Sequence, residues 1–147
     1  MKSDSQKQTA GQLERTIAQS LHAFYKKQIG QSPSKITCQF FETKLGIVIE
    51  DSITKPELLM LEADDTTLVE QVRRDINSVI QLEIKSLISQ ILQLEARDVL
   101  IDTSIKTGTT GIVVSLSGVP NVRNVEAIPK AIKRKQNTNQ RESQHQP

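Results

Sequence analysis

One apolar stripe sets the terms for this chain. Val69, Val72, Ile76, Ile80, Ile84, Leu87, Ile91 and Leu94 cover 25 residues in seven steps. That is about 3.6 residues per step, the period of an α-helix. Val79, Ile88 and Leu92 widen the stripe. Carried from Thr67 to about Glu95, such a helix reaches ~43 Å, against the ~17–20 Å of ordinary strands. Either it breaks near Gln81–Ser86, or its overhang packs on something else, a second copy of the chain being the simplest candidate. A homodimer is therefore expected.

Shorter elements flank the stripe. Thr9 with Gln12 fits a capping box, and Leu13, Ile17, Leu21 and Phe24 recur at helical spacing, so a first helix is placed at 10–29, closed by Gly30. After Pro33, residues 34–42 alternate, with Ile36, Cys38 and Phe40 on one face, and Leu45, Ile47 and Ile49 repeat the pattern. Thr54-Lys-Pro-Glu57 is a second capping box, opening a short helix through Leu58, Leu59 and Leu61. Asp64-Asp65 then ends that helix and starts the long one. Asp98 to Ile105 alternates with Val99, Ile101, Thr103 and Ile105 on one face. A turn over Lys106–Gly111 returns to Ile112, Val114 and Leu116.

The order α-β-β-α-α-β-β predicts an α+β two-layer sandwich. Two β-hairpins form an antiparallel sheet with the helices packed on one face. The pattern leaves the strand order open.

Charge divides the chain. The 147 residues carry a net +2, yet residues 119–147 hold six basic against two acidic side chains, a net +4, leaving −2 on the rest. Residues 1–8 and 119–147 are polar and expected to be disordered, with the folded body at 9–118. No apolar run approaches ~18–20 residues, so no membrane span is expected. The N-terminus has no hydrophobic signal centre, which points to a cytoplasmic protein with its one cysteine reduced.

Enzyme chemistry finds little material. His22 reads as a partly exposed helix residue and His145 falls in the tail. Cys38 alternates with core positions and reads as an inert thiol. Glu50-Asp51 and Asp64-Asp65 sit at element ends, where turns and caps explain them. Gly108-Thr-Thr-Gly111 has the spacing of a nucleic-acid-clamping loop, but it joins two strands rather than two helices. Lys106-Thr107-Gly108 is not a phosphate-binding Walker loop. No catalytic, cofactor or metal site is expected.

Binding surfaces are the remaining candidates. Lys130, Lys133, Arg134 and Lys135 could contact phosphates or anionic headgroups, but no aromatic residue is interleaved for base stacking. Specific nucleic-acid binding is not expected and stands as an alternative. A small-molecule-sensing domain built on the sheet is a second one.

Four fragments in order carry a resemblance: Gly11-Gln-Leu-Glu14; Phe24-Tyr25 followed by Gly30 and Pro33; Val72-Arg-Arg74; and Asp102-x-Ser104-x-Lys-Thr-Gly108. Over residues 9–118 the chain resembles the bacterial MpsC domain family, named for a sodium-translocating membrane-potential-generating system. The resemblance implies an accessory or regulatory protein beside membrane subunits. Those subunits are similar to ion-coupled, inorganic-carbon-linked transporters. It supplies no catalytic residues. With no span of its own, such a protein acts on ion movement only by touching a partner, with peripheral contact at the inner face of the plasma membrane allowed. The expected partner surface includes Lys106 and Thr107 at the turn and Arg73 and Arg74 on the long helix. The competing reading for the arginine pair is an exposed helix face with i,i+4 pairing.

Overall fold

A computed structural model of the chain describes residues 6–132. Helix α1 (Ala10–Phe24) starts on the Thr9–Gln12 capping box and runs into a π-helical turn, Tyr25–Ile29. Gly30 closes that turn at φ +81°, a conformation that suits a residue without a Cβ. Strands β1 (Lys35–Phe41) and β2 (Lys44–Glu50) form the first hairpin. Helix α2 (Lys55–Glu62) follows on the Thr54–Glu57 capping box. Asp65 Oδ1 then accepts from the Leu68 amide and caps helix α3 (Thr66–Leu92). The second hairpin is β3 (Ala96–Ser104) and β4 (Thr109–Leu116), with a bulge between Ala96 and Asp98.

The sandwich expected from the sequence is the one observed. The four strands are all antiparallel in the order β1-β2-β4-β3, so the two returning strands lie side by side at the centre. Leu45, Ile47, Ile49, Val99, Ile112, Val114 and Leu116 point to the helices and are buried. Helix α1 contributes Leu13, Ile17 and Leu21, and α3 contributes Ile80, Ile84, Leu87, Ile88 and Leu92. Each such side chain is worth ~1.5–3 kcal/mol on leaving water, which makes this layer the main source of stability.

Helix α3 is one unbroken element of 27 residues, so the first of the two alternatives, a break near 81–86, does not occur. Its N-terminal overhang packs against α2, and Val69 is buried there. The overhang therefore needs no second copy to cover it. Val79 lies half exposed, outside the stripe it was expected to widen.

Residues 119–131, assigned by composition to the disordered tail, instead pack on the body. Val122 and Ile128 join the core, Asn124 Oδ1 accepts from the Ala10 amide at 2.8 Å, and the Glu42 amide donates to the Pro129 carbonyl at 2.8 Å. Two aliphatic anchors separated by turn residues suffice to hold a segment whose average composition is polar. His145, Lys133, Arg134 and Lys135 lie outside the described residues.

Candidate functional site

Beneath α2 the core changes character. Arg73 and Glu57, 3% and 0% exposed, form an ion pair that ties α3 to α2. Arg73 Nε donates to Glu57 Oε2 at 2.9 Å, while Nη2 donates to Glu57 Oε1 and, at 2.9 Å, to the Ser52 carbonyl. Two parallel bonds from one guanidinium to one carboxylate are the strong, directional form of this contact. Glu57 also keeps its capping role: the Thr54 amide and hydroxyl donate to its Oε1 at 3.0 and 2.9 Å.

The polar chain continues into the sheet. Arg73 Nη1 donates to Asn77 Oδ1 at 3.4 Å, and Asn77 Nδ2 donates to Thr103 Oγ1 at 3.1 Å. The Thr103 and Thr110 hydroxyls are 2.7 Å apart, and those of Thr110 and Ser52 are 2.8 Å apart. Ser52 donates through its amide and hydroxyl to the Gly108 carbonyl at 2.8 and 3.0 Å, which fixes the β3–β4 turn against the β2–α2 link. Burying these groups is tolerable because each finds a partner.

Tyr25 borders the network. Its ring is fully buried, and among the described residues its hydroxyl has no hydrogen-bond partner. Burial raises its pKa, and the neighbouring Arg73 guanidinium opposes the rise in part. Outside, a groove of about 470 Å³ runs between the π-turn and α2, lined by Gln28, Ile29, Pro56, Val72 and Ile76 among others.

The surface above this network is apolar. Helix α2 turns Glu57 inward and presents Leu58 and Leu59 to solvent at 48% and 64% exposure. Leu68, on the first turn of α3, is also exposed.

The predicted partner residues divide. Lys106 and Thr107 are exposed on the turn that Ser52 holds, and Arg74 is exposed with Nη2 donating to Gln71 at 2.7 Å. Arg73 is corrected: it is no surface residue but the centre of the buried network, so it touches no partner directly. Its position four residues after buried Val69 and seven before buried Ile80 was the available signal. A glutamate inside the apolar run Pro56–Leu61 was the matching one.

The remaining chemical candidates occupy structural positions. His22 Nε2 lies 3.2 Å from the Pro33 carbonyl on the half-exposed side of α1. Cys38 packs against the core, and burial followed by the Glu14 carboxylate pushes its thiol up to about 12. Asp51 and Asp64 adopt positive φ in turns. Lys130 is exposed on the last described segment.

Comparison with known families settles the kinship. Residues 9–118 match the family described as the Na+-translocating membrane potential-generating system (MpsC). The chain belongs to the MpsC family. The match spans α1 to just beyond β4, and so covers Glu57 and Arg73 of this MpsC chain along with the whole sheet. No curated protein and no solved structure matches the chain. Among the described residues no helix of this MpsC chain is long and apolar enough to cross a membrane.

Proposed function

We propose that this MpsC chain is a non-enzymatic cytoplasmic accessory module of a membrane-potential-generating, ion-coupled transport system. It acts by binding a membrane subunit. Family membership supports a role in such a system.

The α2 end is the docking surface. The observation that carries this is the inversion of α2, which buries its carboxylate and exposes Leu58 and Leu59. An amphipathic surface helix ordinarily does the reverse. Exposed leucines flanked on the same helix by exposed Lys55 and Glu62 have the make-up of an apolar contact with a polar border. The bonds of Glu57 and Arg73 hold that helix rigid, so docking loses little conformational freedom.

Capture from native membrane fractions with the full chain as bait, read by mass spectrometry, tests the reading. Ion-transport subunits should be retained, and a variant carrying Leu58→Ser and Leu59→Ser should lose them while keeping its circular dichroism. Equal retention by the variant, or turnover of a substrate by the purified chain, would overturn the proposal.

A further inference from the structure

Among the described residues, the second layer of the sandwich is bare on its outer side. Phe41, Val48, Leu100 and Val113 stand exposed across all four strands, and among the described residues no helix lies over them. A shallow apolar depression of about 560 Å³ lies at the centre, with Phe41, Gly46, Val48, Gly111 and Val113 in its lining.

The middle of that face is patterned. Gly46 pairs with Val113, and Val48 pairs with Gly111, on the two central strands. The valines occupy one diagonal of a square and the glycines the other. Space above Gly111 is open, while the Phe41 ring leans over Gly46, 3.3 Å from where a Cβ would stand. A two-fold axis parallel to the strands, passing between β2 and β4, exchanges these positions. Val48 of one copy then enters the hollow over Gly111 of the other, and Val113 meets the Phe41 ring. Outer-face charges stay at the rim: Lys35, Lys44 and Glu50 on one half, Asp98 and Asp102 on the other.

Edge-to-edge pairing of the sheet is hindered on both sides. The edge of β1 is capped where Glu14 Oε2 accepts from the Phe40 amide at 2.7 Å. The edge of β3 is capped where Gln81 Nε2 donates to the Val99 carbonyl at 2.8 Å. The chain's own end is a poor cover. Pro129 reaches the rim of the depression, but residues 133–147 contain no Ala, Val, Ile, Leu, Met, Phe, Tyr or Trp.

We propose that the outer sheet face is a homodimer interface, two copies packing face to face with Val48 seated over Gly111. Four strands of about seven residues offer roughly 19 by 23 Å. Two copies would hide on the order of 900 Å², the range of weak, reversible contacts rather than permanent ones. The inference stands apart from the α2 surface, which lies on the helical side.

Sedimentation of the full chain across a concentration series tests it. Mass should rise from 16.4 kDa toward twice that value in the micromolar range. Val113→Lys should hold it at the monomer with circular dichroism unchanged, whereas Leu58→Ser with Leu59→Ser should not move it. Mixing Val48→Cys chains with Gly111→Cys chains under mild oxidation should yield a cross-linked dimer that neither variant gives alone. A mass that stays monomeric at hundreds of micromolar overturns the interface. So does a dimer indifferent to Val113→Lys, or one that forms only after residues 133–147 are removed, which would give the face to the chain's own end.

Discussion

The two halves of α3 bury different chemistry against the same sheet. Its second half inserts Ile80, Ile84, Leu87, Ile88 and Leu92, and its first half inserts Arg73 and Asn77. Aliphatic packing is non-directional, so the second half tolerates small changes of shape by local adjustment. The polar half has fixed donor and acceptor geometry, and losing one member strands the next. One end of the domain thus supplies bulk stability, and the other dictates where α2 and the β3–β4 turn must sit.

The largest test of this contrast is Arg73→Ala, which leaves the Glu57 carboxylate buried and unpaired. Denaturant unfolding should show a loss of ~3–5 kcal/mol, and the thermal midpoint should fall by more than ~10 °C. Removing both charges, with Arg73→Met and Glu57→Gln, should recover most of that loss because the cap survives and no charge is stranded. A double variant as unstable as the single one would break the contrast.

Alkaline pH should act next. Tyr25 and Cys38 both have folded pKa values above their unfolded ones. Each stabilises fully below its unfolded pKa, about 10 for Tyr and 9.0 for Cys, and that contribution is lost as pH rises toward the folded value. Melting followed from pH 8 upward should hold steady to about 9 and then decline. Tyr25→Phe should shrink the decline and cost little near neutrality, since among the described residues the hydroxyl it deletes has no hydrogen-bond partner. An equally steep decline in that variant would shift the effect to Cys38.

The smallest expected change sharpens the other half. Ile84→Val should cost only ~0.5–1.5 kcal/mol by the same unfolding measurement. A larger loss would mean that the aliphatic layer is as exacting as the polar one.

The sequence makes these halves unequally legible. Periodicity exposes the aliphatic half directly: Ile80, Ile84, Leu87 and Ile88 lie on the 3.6-residue stripe, and the two capping boxes mark where α1 and α2 begin. The polar half is hidden by the same logic, since a charged residue beside a stripe reads as solvated surface. Arg73 is buried because Glu57 meets it from a helix sixteen residues earlier, and pairing at that range leaves no local period. Strand order is opaque for a related reason. The contact of β2 with β4 joins residues from 61 (Ile49 and Thr110) to 71 (Lys44 and Ser115) positions apart, and alternation reports only which face a residue takes. Averaged composition also failed for Val122 and Ile128, where two side chains outweigh a polar neighbourhood.

Glu57 closes the start of α2 and accepts from Arg73 with the same carboxylate. Fraying of the first turn of α2 therefore cannot proceed alone, because it would strip the guanidinium of its counter-ion. Backbone amides from Leu58 to Glu62 should exchange with deuterium at nearly the pace of those in α3, so that an eight-residue helix shares the cooperative opening of the whole domain.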